Sequence, residues 1–360
     1  MATNNAYHAR NRTRDEIRCH GAISSLNDGV EITTHGIATR VIAWPGNGFT
    51  TLSVHVLTHQ TGDETPLYAY GMAEEALLCL QGSGEVFLRG QWVGLEPGDV
   101  AYLPAGVEHA TRNPRGNEQH FVLVSALAPP PFDLYGPAGF YNREHGVMNY
   151  DAIAEATQAT PPGTLVPQGP LRYRESHPEV RAWNLSLEEI RRGGALFNVC
   201  AGAPFTGLLG TVQPGEAAPS EVFMVLNLWP GYGVQKAGFH YALMPPEHLT
   251  LVHSHPATDE CLILWDGKGQ LYCGDRWVDA NPFDCVLAPA GVLHTIAGSR
   301  TPTDRLSYGG GFASAPQLDL YLKTPYYADG IFTRPPFATL GQPLAADGPP
   351  STQEKVRASP

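Results

Sequence analysis

The chain repeats itself, and no other feature limits its fold as tightly. Displaced by 185 residues, two long segments align without a gap. Trp44-Pro45-Gly46 falls on Trp229-Pro230-Gly231, Gly48 on Gly233 and His55 on His240. Glu75 falls on Glu260, Gly82 on Gly267, Gly84 on Gly269, Trp92-Val93 on Trp277-Val278, Pro97 on Pro282 and Asp99 on Asp284. Pro104-Ala105-Gly106-Val107 falls on Pro289-Ala290-Gly291-Val292, and His109 on His294. One more residue of displacement places Asp133-Leu134-Tyr135 on Asp319-Leu320-Tyr321 and Tyr141 on Tyr327. So many Trp, Gly, Pro and His in one register mark a duplicated domain.

Each copy reads as short strands. Residues 76–81 and 261–265 are apolar runs ended by a glycine-bearing turn. Residues 85–88 and 270–273 alternate polar and apolar, and 100–103 and 285–288 read as buried strands. The turns Gly82-Ser83-Gly84 and Asp266-Gly267-Lys268-Gly269 read as hairpin loops. Strands at this spacing, with 39 Gly and 32 Pro for turns, indicate an all-β barrel or sandwich per copy. The boundaries read from the repeat are an N-terminal extension (1–29), an N-terminal barrel (30–141), a connecting segment (142–200), a C-terminal barrel (201–327) and a tail (328–360). The connection is Pro-rich but contains one helix signature: Ser186 as N-cap, Glu189 three residues on, and a stop at Gly193. The stretch after about Gln342 is polar and Pro-rich and is expected to fray.

Composition narrows the partners. Hydrophobic residues are 42% and charged residues 16%, a globular balance. The net charge is −12 with no basic stripe, which argues against nucleic acid. No apolar run approaches the roughly 20 residues of a membrane helix, and residues 1–18 lack the apolar core of a secretory signal. The six cysteines form no CxxC pair, and Cys261, Cys273 and Cys285 lie in strand-like runs. They read as reduced core thiols of a cytoplasmic protein. Barrels leave edges and apolar faces that a second copy can cover, so a homodimer is expected.

The run from His253 through His255 to Glu260 carries the chemistry. Histidines spaced i, i+2 on a strand share one face. Glu260 then starts the next strand, and His294 follows two strands later, so a small barrel can bring all four to one point. Three imidazoles and a carboxylate suit Fe, Mn, Ni, Cu or Zn, and leave an octahedral metal two open positions. The N-terminal copy keeps Glu75 and His109 but has Tyr68 and Tyr70 in place of the histidine pair. A phenol with pKa roughly 10 is a poor ligand at neutral pH. His55, His59 and Glu64 do not rebuild a site, and His55 with His240 reads as a shared structural pair.

These residues resemble the two cupin motifs. His253, His255, Glu260 and Gly267 match the first, and Pro289, Gly291 and His294 the second. The resemblance covers both repeats and implies a bicupin: two tandem jelly-roll-like β-barrels with a short, partly helical connection. It also implies one divalent metal per chain, in the C-terminal barrel. Phe283 and Gly298 depart from the glycine and asparagine that usually bound the second motif, and Glu247 from the glycine before the HxH. The N-terminal copy keeps that second motif whole in Gly98, Pro104, Gly106, His109 and Asn113.

The expected activity is an Fe(II) dioxygenase acting on a small aromatic or enolic carboxylic acid, with Glu260 also moving a proton. The chain resembles the bicupin ring-cleaving dioxygenases, whose metal sits in the N-terminal barrel. The alternatives are a redox-neutral Mn, Zn or Ni hydrolase, decarboxylase or isomerase, and a non-enzymatic binding protein. Arg276, Arg300 and Arg305 are candidates for holding a substrate carboxylate, and His248 for a supporting role. Phe239, Tyr241, Trp265, Tyr272 and Trp277 flank the site, mostly as core.

Overall fold

A computed structural model describes residues 5–205, 222–314, 326–335, 337–342 and 355–357. The second register at Asp319-Leu320-Tyr321 lies outside the described residues, as does the stretch after Gln342 apart from 355–357. Every strand ladder among the described residues is antiparallel, and each copy builds one large and one small sheet. In the N-terminal copy the seven-stranded sheet runs Ala195–Asn198, Asp99–Leu103, Glu74–Gln81, Phe121–Ala128, Ser53–His59, Ile37–Ala43, Val30–Thr34. Its three-stranded partner is Gln91–Leu95, Gly84–Leu88, Ala110–Arg112. In the C-terminal copy the eight-stranded sheet runs Ala22–Ser25, Asp284–Ala288, Glu260–Asp266, Ser307–Ser314, Ala237–Met244, Met224–Leu228, Ala201–Pro204, Ala338–Thr339. Its small sheet is Arg276–Ala280, Gly269–Cys273, His294–Gly298.

The segments outside the repeat each hand a strand to the opposite copy. Ala22–Ser25 pairs with Asp284–Ala288 of the C-terminal barrel, and Ala195–Asn198 pairs with Asp99–Leu103 of the N-terminal one. The period of two sorts the side chains. Leu262 and Leu264 point into the C-terminal barrel beside Leu271, Val286 and Ile296. Cys261, Ile263 and Trp265 point the other way, into a core that both barrels share and that also holds Tyr102, Phe197 and Trp229.

The two glycine turns are not hairpins. Glu74–Gln81 and Gly84–Leu88 lie in different sheets, as do Glu260–Asp266 and Gly269–Cys273. Each turn is a barrel corner, where the chain crosses from the large sheet to the small one. A Cβ on Gly82 would sit 2.1 Å from the His120 carbonyl oxygen, and one on Gly269 2.5 Å from that of Ala297. Left-handed backbone at Gly82 (φ 69°) and Gly267 (φ 88°), together with this crowding, explains the glycines there.

The helix at Leu187–Gly193 has the expected capping box between Ser186 and Glu189. Two further helices, Arg14–His20 and Tyr150–Ala159, were not anticipated. All six cysteines are free, and all but Cys19 are buried. No helix among the described residues is long and apolar enough to cross a membrane.

The motif departures have a backbone meaning. Gly62 (φ 88°) and Gly98 (φ 98°) of the first copy correspond to Glu247 (φ 62°) and Phe283 (φ 75°) of the second. The second copy keeps the left-handed backbone after losing the glycines, a strained state for side-chain-bearing residues. Gly298 stands opposite Asn113, and a Cβ there would lie 2.1 Å from the Pro245 carbonyl oxygen.

Candidate metal centre

The structure brings His253, His255, Glu260 and His294 together, with one ligand atom of each within 4.8 Å of all the others. Glu260 and His294 each begin a strand, with three strands between them rather than the expected one. The His253-x-His255 segment is not a regular strand. Only His253 forms a β-bridge, with His294, through His253 N–H to His294 O (3.1 Å) and the reverse bond (2.8 Å). The Gly291 amide donates to His255 O (2.7 Å), so the second motif pins the first at two points.

The hydrogen bonds orient the rings. His253 Nδ1 lies 2.8 Å from Leu251 O, and His294 Nδ1 lies 2.8 Å from Val292 O. A carbonyl only accepts, so each Nδ1 carries a proton, and in the form that can ligate a metal each ring turns its Nε2 lone pair inward. His294 Nε2 then faces Glu260 Oε2 at 3.1 Å, and His255 Nε2 faces it at 3.0 Å. A lone pair against a buried carboxylate oxygen needs a cation between or beside them. A divalent ion fits this donor set. Burial, and then His294, depresses the His253 pKa to about 4, which keeps the ring neutral for ligation. Burial alone would raise the Glu260 carboxyl. The His255 and His294 rings beside it outweigh that and hold the group well below the usual carboxylate range.

His240 stands beside this centre without joining the ligand cluster. It is buried on strand Ala237–Met244, with Nε2 3.7 Å from Glu260 Oε1, and burial lowers its pKa. Beside it, Leu262 pairs with Gly311, whereas in the first copy the equivalent Leu77 pairs with Ser125. The only sequence signal for His240 was its match to His55.

The carboxylate before Glu260 ties the centre to the other barrel. Asp259 is buried and accepts from the Thr50 and Thr51 amides (2.5 and 2.7 Å) through one oxygen. The other oxygen accepts from the Ala290 amide (2.9 Å), within the second motif. Glu74, its counterpart, accepts from the amides of Gln235, Lys236 and Ala237. Each barrel thus caps a loop of the other, next to its own buried glutamate.

In the N-terminal copy the same frame holds a different set. Tyr68 bridges His109, and the Gly106 amide donates to Tyr70 O (2.9 Å). Glu75 is bound by His109 Nε2 (2.8 Å), Ser125 Oγ (2.5 Å) and Tyr68 OH (3.4 Å). Burial, then Glu75, pushes both phenols well above 10, further from phenolate ligands. His35 from the Val30–Thr34/Ile37–Ala43 turn joins them, stacked on Tyr68 and 3.0 Å from Tyr70 OH. His55 instead meets Tyr135 OH (3.1 Å), His59 meets Thr111, and Glu64 faces Arg112.

The other candidates lie elsewhere. Arg305 binds Asp266, at the opposite end of the strand that Glu260 begins, and Arg300 binds Gln270. Arg276 is exposed and sits over the Tyr7 ring. His248 stacks on Phe223. Phe239, Tyr241 and Trp265 lie in the shared core, while Tyr272 and Trp277 pair with each other half-buried on the small sheet. Gly309-Gly310-Gly311 is mid-strand, and a Cβ on Gly310 would sit 2.1 Å from His240 O.

Two barrels of this topology around HxH, Glu and His define a class. The cupin domain family matches residues 56–125 and 240–304, one segment in each barrel. The chain is a bicupin of the cupin superfamily. Among solved structures it is similar to the protein Ylba of E. coli (11% identity, TM-score 0.50, covering 82% of this chain and 91% of that one). It is also similar to a variant of the salicylate 1,2-dioxygenase of Pseudoaminobacter salicylatoxidans (14%, 0.48, 79% and 78%). A variant of the oxalate decarboxylase of Bacillus subtilis is a third (12%, 0.46, 81% and 76%). At these identities the likeness concerns the fold. No curated protein matches the chain in sequence.

Proposed function

We propose that this bicupin is a metal-dependent enzyme of the C-terminal barrel, an Fe(II) dioxygenase acting on a small aromatic or enolic carboxylic acid. The observation that carries it is the inward-facing set of three imidazole nitrogens and one buried carboxylate within 4.8 Å. Bound Fe(II) supplies Lewis acidity and one-electron chemistry toward dioxygen and an oxygen-bearing substrate. His253, His255 and His294 hold it through Nε2. Glu260 would complete the ligand set, with its Oε1, next to His240, as the oxygen placed to move a proton. Exposed Leu251, Val252 and Leu293 stand directly beside His253 and His294 and give the mouth an apolar rim. That rim favours an apolar substrate body. With Arg276, Arg300 and Arg305 elsewhere, the metal rather than a guanidinium would hold the acid's oxygens. The same reading has a homodimer as the assembly and the cytosol as the compartment.

The test is metal content by mass spectrometry, on protein purified without a metal-affinity column, with His255→Ala alongside. One iron per chain, lost in the variant, together with substrate-dependent O₂ uptake, is the expected result. One Mn, Ni or Zn with turnover in the absence of O₂ would replace it by a redox-neutral hydrolase, decarboxylase or isomerase. Failure to take up any metal after reconstitution sinks both.

A further inference from the structure

A half-open cavity of about 730 Å³ lies between the N-terminal segment, the strands Val30–Thr34 and Ile37–Ala43, and the helix Tyr150–Ala159. It shares no lining residue with the metal-ligand cluster. Ile17, Val30, Trp44 and Ile153, all buried, give it an apolar wall. Arg10, Arg12 and Arg14 face Asp15 and Asp28 around it, a positive excess in a chain of net charge −12. Arg12 is committed, since Nη1 donates to Gly21 O and the guanidinium sits over Tyr7. The other two are not spent. Arg10 Nε is 3.5 Å from Asp28 Oδ1, while its Nη2 is buried with no hydrogen-bond partner among the described residues. Arg14 lies over the Tyr150 ring and reaches Asp15 through Nη1, and its Nε is likewise buried without a partner. Asp28 is already shared with His8.

Arg10 and Arg14 line the cavity with part of their hydrogen-bonding capacity unused, and a guanidinium's planar fork matches a carboxylate in two parallel hydrogen bonds. An apolar cavity of this size with a few convergent polar groups is the usual form of a small-molecule site. We propose that this cavity binds a small organic carboxylate, its charged end on Arg10 and Arg14 and its apolar body against Trp44, Ile17 and Ile153. The occupant bridges the N-terminal segment to the helix Tyr150–Ala159. That segment runs through the helix Arg14–His20 into Ala22–Ser25, the edge strand of the metal-binding barrel. The site therefore braces the contact between the two copies, and it stands independently of the reaction proposed above.

The experiment is calorimetric titration of the full-length, metal-loaded protein with benzoate and 2-naphthoate, using benzamide as the uncharged counterpart of benzoate. At least one acid is expected to bind saturably, with benzamide at least tenfold weaker than benzoate where benzoate is that acid. Arg14→Gln, at a partly exposed position that spares the fold, should weaken binding at least fivefold. Arg10→Gln/Arg14→Gln should abolish it without changing metal content. His255→Ala should leave it unchanged, and hydrogen exchange should slow in residues 9–25 and 150–159 on binding. Loss of binding in His255→Ala would place the acid at the metal instead. That outcome, indifference to the arginine substitutions, equal affinity for benzamide, or no binding of either acid at millimolar concentration overturns the proposal.

Discussion

The two barrels bury one glutamate at the same point, Glu75 and Glu260, and surround it differently. In both, a histidine pinned through Nδ1 to a backbone carbonyl turns Nε2 toward that carboxylate: His109 in one, His294 in the other. In the N-terminal barrel, hydroxyl donors from Ser125 and Tyr68 complete the shell around Glu75. In the C-terminal barrel, glycine replaces Ser125 and histidines replace both tyrosines, so lone pairs converge where hydroxyl donors otherwise stand. The backbone frame makes the site geometry, and three side chains decide whether hydroxyl donors or metal-binding nitrogens surround the carboxylate.

The largest effect expected is conversion of one barrel into the other. Tyr68→His/Tyr70→His/Ser125→Gly, placed in the His255→Ala background, should restore one metal per chain, now held at Glu75 and His109. Mass spectrometry of the purified variant reads this directly. A metal-free product would mean that the frame alone does not set the site.

Next comes the contact that joins the copies. Asp259→Ala leaves the Thr50, Thr51 and Ala290 amides without their acceptor. These bonds are only part-buried, and losing each costs roughly 1 kcal/mol, so a total of about 3 kcal/mol is expected in urea denaturation. Because Asp259 adjoins Glu260 and holds the loop before His294, metal affinity should fall roughly tenfold or more. Glu74→Ala should destabilise similarly and leave metal affinity unchanged. Equal affinity losses in both variants would show a global effect rather than positioning.

Acid should act on the N-terminal barrel without any metal. Burial depresses His55 and His59 to about 4 from an unfolded value near 6.5. Between those limits the unfolded chain binds more protons than the folded one. Stability is therefore complete above pH ~6.5 and declines as pH falls toward ~4, by at most roughly 3 kcal/mol per ring. Melting temperatures of the wild type and His59→Gln at pH 7 and pH 5 should converge on acidification. A constant gap would reject this assignment.

The smallest effect concerns the backbone. Glu247→Gly returns the second copy to the glycine that the first keeps at Gly62, at an exposed position with φ 62°. Relief of left-handed strain should stabilise by roughly 1 kcal/mol in urea denaturation. No gain would indicate that Glu247 makes a compensating contact.

Much of this molecule was legible in the chain. The spacing of His253, His255, Glu260 and His294, repeated as Tyr68, Tyr70, Glu75 and His109, located both centres. The Ser186/Glu189 signature located a helix, because capping is a local contact over three residues. The glycine turns misled, since a tight corner between sheets and a hairpin demand the same residue. Arg300 and Arg305 misled because charge says nothing of which neighbour a side chain meets.

The sequence by itself determined the duplication, the barrels' strands, the candidate set His253, His255, Glu260 and His294, and its replacement by Tyr68 and Tyr70 in one copy. All of these rest on residue identity at short or repeated spacing. Only the tertiary structure decided that Ala22–Ser25 and Ala195–Asn198 change barrels, that His240 stands beside Glu260, and that Thr50 and Thr51 hold Asp259. Those contacts join residues far apart in the chain, and many run through backbone amides, which every residue but proline carries alike.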